Sequence, residues 1–252
     1  MSGSSPTGPT SRAHPGAPAQ EGNRYRARRV DPALDAVLLI VAKAPVAGLA
    51  KTRLASSVGA RRAALLAAAA LLDTVDSARA VPDATVACAL TGALASAELA
   101  DELASALRDC VVFPQHGATF ADRLANAHAE IAARFPGAPV LQVGMDTPQL
   151  LPPLLTGALA RLRETDAVLG PAVDGGWWAL GLRRPADAHV LRAVPMSRPD
   201  TGARTLAALR NAGLRVEHLP LLSDVDTIAD AVQVAAQAPT TRFAQAFAAV
   251  AS

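Results

Sequence analysis

From Ala36 onward the chain alternates two kinds of pattern. Short, largely apolar runs occur at Val37–Val41, Ala84–Leu90, Cys110–Phe113, Val140–Val143, Ala167–Leu169, Trp178–Leu182 and Arg215–Leu219. Their length suits strands, and near-continuous apolarity suits strands covered on both faces. Between them lie longer stretches with helical spacing: Gly59–Ala80, Ser96–Leu107, Phe120–Phe135, Leu150–Arg163, Ala203–Ala212, Thr227–Ala236 and Arg242–Val250. Phe120–Phe135 is amphipathic, and prolines open Leu150–Arg163. Strands separated by such helices predict βαβ units and a mainly parallel sheet with helices on both faces, an α/β fold. No internal repeat is visible.

Composition sharpens the boundaries. Residues 1 to about 30 are rich in Gly, Ser, Pro and Arg and poor in large apolar side chains, which predicts a disordered leader. Residues 31–252 read as a single domain, and 252 residues suffice for one large α/β core. Aromatics make up only 3%, so alanine- and leucine-rich helices must pack closely. The net charge of +2 gives no reason to expect a nucleic-acid partner, and Arg24, Arg26, Arg28 and Arg29 read as a solvated tail. Cys88 and Cys110 lie in or beside apolar runs without CxxC spacing, which predicts buried, reduced thiols, no zinc site and a cytoplasmic protein. No apolar run reaches the roughly 18 residues of a membrane span, and the N-terminus lacks the apolar segment of a secretory signal.

The chemistry concentrates at strand ends. Asp146 closes the run Pro139-Val-Leu-Gln-Val-Gly-Met-Asp146, and Asp174 follows Ala167-Val-Leu-Gly-Pro-Ala-Val. The carboxyl ends of strands in open α/β sheets are where ligands bind. Two carboxylates there can grip one divalent cation, Mg²⁺ or Mn²⁺, and a cation so held usually carries a phosphate. The plainer alternatives are a helix cap for Asp146 and a hairpin turn for Asp174. After the first strand comes Lys43-Ala-Pro-Val-Ala-Gly48-Leu-Ala-Lys51-Thr-Arg53-Leu54, a segment holding every lysine in the chain. The loop after a first strand commonly holds phosphates, so Lys43, Gly48, Lys51 and Arg53 are phosphate-binding candidates. The pattern is neither GxGxxG nor GxxxxGK[ST], and its plain alternative is a solvated basic turn.

Four segments in order carry a resemblance: Lys43-x-Pro-x-x-Gly-x-x-Lys51-Thr-Arg53-Leu54, Gly144-x-Asp146-x-Pro148-x-Leu150, Leu169-Gly-Pro-Ala-x-Asp174-Gly-Gly176 and Asp224-Val-Asp226-Thr227. Together they resemble the arsenosugar-biosynthesis glycosyltransferases of GT-A fold, also called radical-SAM/selenodomain-associated transferase 1. Those enzymes are distant relatives of 2-phospho-L-lactate and molybdenum-cofactor guanylyltransferases. The resemblance spans about residues 36–232. It implies a Rossmann-like nucleotide-diphosphate-sugar transferase fold, a divalent metal and an activated nucleotide substrate. It also implies Lys51 and Arg53 as phosphate ligands, Asp146 as metal ligand, and Asp174, Gly175 and Gly176 around the donor or acceptor. The chain departs from the family at Met145, where Ser is usual, at Trp177 and Trp178, where tyrosines are usual, and at Met196-Ser197-Arg198, where the family has Trp-Ser-Thr.

Secondary candidates carry plainer alternatives. Arg123 matches an arginine of the resemblance and is a substrate-binding candidate. Thr119 and Asp122, like Thr227 and Asp230, have capping-box spacing. Asp226 is a candidate second metal ligand. Adjacent Trp177 and Trp178 must face opposite sides of a strand, one to the core and one, Trp177, to a base or sugar. His116 lies in a loop near the expected site and reads as a surface histidine, His128, His189 and His218 show no ligand spacing, and no Ser-His-Asp or Cys-His arrangement points to nucleophilic hydrolysis. The expected activity is metal-dependent glycosyl transfer from a nucleotide-diphosphate sugar to a small-molecule acceptor. The alternatives are nucleotidylyl transfer from a nucleoside triphosphate with release of pyrophosphate, and nucleotide binding without catalysis.

Overall fold

A computed structural model describes residues 1–2 and 36–251; apart from residues 1–2, the expected leader and its arginines lie outside the described residues. In chain order the elements are β1 Ala36–Lys43, α1 Thr52–Val58, α2 Ala60–Arg79, β2 Ala84–Thr91, α3 Ala100–Ala106, β3 Val111–Pro114, α4 Phe120–Arg134, β4 Val140–Val143, α5 Pro152–Arg161, β5 Ala167–Pro171, β6 Trp177–Leu182, α6 Thr201–Asn211, β7 Val216–His218, α7 Ile228–Gln237 and α8 Arg242–Ala251. The sheet order is β3-β2-β1-β4-β6-β5-β7. β6 runs antiparallel to both neighbours, and the remaining pairs are parallel.

Period-2 alternation sends successive side chains to two cores. Leu38, Ile40, Leu141 and Val143 meet Leu71 and Val75 of α2, Leu103 of α3 and Leu155 of α5. Val37, Leu39, Val140 and Leu180 meet Leu124 and Ile131 of α4 and Leu209 of α6 on the other face. A third cluster joins Leu66 and Ala70 of α2 to Val225, Val234 and Phe243, so the C-terminal helices pack on the outer side of α2.

Three elements differ from the sequence pattern. The stretch Ser96–Leu107 is not one helix: a 3₁₀ turn at Leu94–Ser96 precedes α3, and Leu99 between them has φ 55°. A left-handed leucine cannot continue a right-handed helix. The basic loop passes directly into α1, which Gly59 at φ 89° separates from α2. A 3₁₀ segment, Pro185–Ala193, fills the connection to α6. Both expected capping boxes form, at Thr119/Asp122 and Thr227/Asp230. Cys88 and Cys110 are free and buried, and burial pushes the Cys88 thiol up to about 12, which makes it inert. Among the described residues no helix is long and apolar enough to cross a membrane.

The C-terminal helix is fastened by an interior carboxylate. Asp73 of α2 accepts the first N–H groups of α8, from Arg242 at 3.0 Å and Phe243 at 2.9 Å. It therefore caps a helix more than 160 residues further along the chain. Asp73→Ala should lower stability by about 1–3 kcal/mol, because two helix-terminal donors lose a charged acceptor. Urea denaturation of the variant beside Asp73→Asn, which keeps one acceptor oxygen, measures the difference.

Candidate active site

The carboxyl ends of β1, β4 and β5, with the chain beyond β7, surround a cavity of about 440 Å³. Asp146, Asp174, Asp224 and Asp226 all line it, together with Arg53, Gln142, Gly176, Trp177, Met196 and Arg198.

Backbone pairing explains how distant segments meet here. The N–H of Val225 donates to the carbonyl of Asp146 at 2.9 Å, which anchors the 224–226 segment at the tip of β4. The side chain of Gln149 donates to the carbonyl of Ser223, the residue just before that segment. The loop after β1 arrives through Lys51. Its ammonium donates to Asp146 at 2.6 Å and to Asp226 at 3.4 Å, while Arg53 donates to the other oxygen of Asp226 at 2.8 Å. Burial, the largest influence on Lys51, pulls its pKa down. Asp146, Asp226 and Asp224 outweigh it, so the net shift is upward and the ammonium is held charged.

Asp174 sits in the antiparallel connection between β5 and β6, where it turns the chain and also lines the cavity. Its side chain accepts the N–H of Gly176 at 2.8 Å, the short-range bond typical of an Asx turn. Trp178 is buried in the core and donates to the carbonyl of Pro220, whereas Trp177 lines the cavity and donates to Thr205.

Other candidates lie elsewhere. Gly175 does not face the cavity. At φ 85°, a Cβ built on it would stand 1.9 Å from the carbonyl oxygen of Pro199, so the position serves a close backbone crossing. Arg123 lies with its guanidinium 5.4 Å above the ring of Phe120 and does not line the cavity; its Nε is buried and unpartnered. Lys43 donates to the carbonyl of Leu49 beside a smaller adjoining hollow, which Lys51, Arg53, Asp146 and Asp226 also line. Gly48 supplies φ 77° within that loop and lines neither space.

Asp224 was visible in the sequence only as one member of a motif. In the structure it is the carboxylate least provided for. Burial first, and then the charges of Asp146 and Asp174, push it up to about 6. The site thus carries more negative charge than Lys51 offsets. Asp226, expected as a metal ligand, accepts from both Lys51 and Arg53, whereas Asp146 accepts from Lys51 alone and Asp224 forms no ion pair with either. Their hard carboxylate oxygens and the excess negative charge fit a divalent cation of the Mg²⁺ or Mn²⁺ type. Among the described residues, no three His, Cys, Asp or Glu side chains are grouped to hold an ion by themselves.

Residues 74–198 match the family DUF2064, described as an uncharacterized protein conserved in bacteria. The matched stretch contains Asp146 and Asp174, while Lys51, Arg53, Asp224 and Asp226 lie outside it. No curated protein matches the chain. A solved structure from Desulfovibrio desulfuricans G20, provisionally named a nucleotide-diphospho-sugar transferase, is similar with a TM-score of 0.74 and 26% identity, over 84% of this chain and 93% of that one. Rv0371c from Mycobacterium tuberculosis H37Rv has a TM-score of 0.51 at 20% identity, over 80% of this chain and 97% of that one. CMP:2-keto-3-deoxy-manno-octonic acid synthetase, solved with CTP, has a TM-score of 0.51 at 15% identity over the same shares. The chain has the Rossmann-like fold of nucleotide-diphospho-sugar transferases.

The position of Asp224 gives a test of the site's electrostatics. A carboxylate whose folded pKa lies above its unfolded value contributes stability below the unfolded value, and this is lost as pH rises through the folded value. For Asp224 that loss falls between about pH 4 and about pH 6, the lower figure being the ordinary aspartate value of 3.8. In EDTA at pH 8, Asp224→Asn should therefore be more stable than wild type by about 1–2 kcal/mol. The ~3 kcal/mol expected of the full shift is discounted here for partial exposure. Thermal melts should show a gain of roughly 2–8 °C at pH 8 that disappears by pH 4; equal melting temperatures at pH 8 would remove the excess-charge argument.

Proposed function

We propose that the protein is a divalent-metal-dependent transferase acting at the phosphate linkage of an activated nucleotide, with a nucleotide-diphosphate sugar as donor and a small molecule as acceptor. The observation that carries this is the convergence of four aspartates on one cavity with Lys51 and Arg53 at its edge. The similarity to the Desulfovibrio protein supports the donor type, as does the resemblance to arsenosugar-biosynthesis glycosyltransferases.

Asp146 and Asp224 are the residues suited to hold the cation, which when bound supplies positive charge to the phosphate oxygens of the leaving group. Lys51 and Arg53 add fixed positive charge from the loop after β1, and meet the negative charge that grows on a departing nucleoside diphosphate. Asp174 lines the cavity from an exposed turn whose shape Gly175 and Gly176 fix against α6. There it orients the acceptor's nucleophilic group and takes its proton. Trp177 presents the flat wall against which a sugar or ring packs.

A second reading, nucleotidylyl transfer, is favoured by the pairing of Lys51 with Arg53 beside Asp226, since a triphosphate brings more negative charge to that loop. The same residues then hold the triphosphate, and pyrophosphate leaves.

Product analysis separates the two. The protein is incubated with nucleotide-diphosphate sugars or nucleoside triphosphates, with Mg²⁺ or Mn²⁺, and with candidate acceptors. Release of a nucleoside diphosphate supports glycosyl transfer, and release of pyrophosphate supports nucleotidylyl transfer. Either activity should stop in EDTA and fall about 10²-fold or more in Asp146→Asn and Asp174→Asn. Turnover unchanged by both substitutions would show that the chemistry lies elsewhere. Metal-dependent nucleotide binding with no product from any pair would indicate a binding protein.

A further inference from the structure

The cavity has two unlike halves. Around the four aspartates it is acidic; towards α4 it is walled by Val41, Leu124, Trp177 and Met196, with Phe120 at the edge. The polar side chain reaching this apolar half from β4 is Gln142, which is only 3% exposed. A glutamine in a strand otherwise made of Val140, Leu141 and Val143 calls for a partner, and it has one. Its Oε1 lies 2.9 Å from Nε2 of His128, a fully buried residue of α4.

The unpartnered atoms fix the direction of that bond. His128 Nδ1 is buried with no hydrogen-bond partner. A neutral imidazole carries one N–H and one bare nitrogen. If the hydrogen sat on Nδ1, a buried donor would be orphaned; with the hydrogen on Nε2, only an acceptor goes unused, which is the less costly arrangement. Burial also pushes the His128 pKa down to about 4, so the ring stays neutral near physiological pH. His128 therefore donates through Nε2 to Oε1. The carboxamide is left with its NH₂ group free of any acceptor among the described residues, on a side chain that lines the cavity.

We infer that Gln142, held by His128, is a specificity-determining donor of the cavity, and that it reads a carbonyl oxygen or ring nitrogen on the base of the bound nucleotide. This rests on the nucleotide reading above. A heterocycle entering between Trp177, Leu124 and Met196 removes its faces from water and leaves its edge to be satisfied by Gln142. A ring that presents a donor there leaves two N–H groups facing each other, and is rejected more strongly than a mere misfit in size.

Two measurements test this on the full chain. Long-range ¹H–¹⁵N NMR with labelled histidine reads the tautomer without any ligand: a protonated Nε2 and bare Nδ1 for His128 are expected, and a protonated Nδ1 overturns the inference. Calorimetric titration with Mg²⁺ then compares ADP, CDP, GDP and UDP, with pyrophosphate as the base-free control, on wild type, Gln142→Glu and the near-isosteric Gln142→Met. The wild type should discriminate among bases. Both variants should lose about ten-fold or more for the preferred diphosphate, with pyrophosphate affinity unchanged. Unaltered base preference in both variants overturns the inference, and so do diphosphates that bind no tighter than pyrophosphate. If pyrophosphate also fails to bind, the nucleotide reading itself falls and takes this one with it.

Discussion

The half-buried ion pair between Lys51 and Asp146, shared with Asp226, is the constraint on which the site depends. It joins the loop after β1, the tip of β4 and the segment beyond β7, three parts of the chain with no continuous strand between them. Removing either partner of a buried pair leaves an uncompensated charge, far costlier than removing both. The pair therefore specifies where these loops sit as much as it stabilises them. It offsets charge on Asp146 and Asp226, which leaves Asp174 and Asp224 as the cavity's carboxylates without an ion pair among the described residues.

The sheet supports this arrangement through one reversal. Because β6 runs antiparallel between β4 and β5, the β5–β6 connection lies at the same edge as the tip of β4. Asp174 is thereby brought to Asp146 by a short turn. Gly202 donates to the carbonyl of Gly175 at 2.8 Å, and this bond ties the turn to the start of α6. On the Lys51 side the wall is held by the ion pairs together with the Val225–Asp146 backbone bond and the burial of Leu54.

Much of this was legible in the residue pattern. Apolar runs such as Val140–Val143 and Ala84–Leu90 declared themselves as strands because both faces are buried, and Asp146 stood out as a carboxylate ending such a run. The failures have physical causes. Leu99 breaks a helix that its neighbours favour, because tertiary packing holds a left-handed turn that no propensity signals. Asp224 and Asp226 are two residues apart in a loop, and sequence cannot say which one faces cations; the structure gives them to Asp226. Gly175 reads as a ligand-approach glycine, yet the backbone it admits is that of Pro199. Gln142 carried the faint signal of one polar residue in an apolar strand, and its meaning depends on His128, which lies on a different element.

The backbone of Lys51 adds a mechanical element. At φ 49° it occupies the left-handed region, a conformation that costs a non-glycine residue about 1–2 kcal/mol. The position is the N-cap of α1, where the chain turns from the loop into the helix. Lys51 thus couples two parts of the fold at once: its carbonyl accepts the Ala55 N–H at 2.8 Å and opens α1, while its ammonium bonds the carboxylate at the tip of β4.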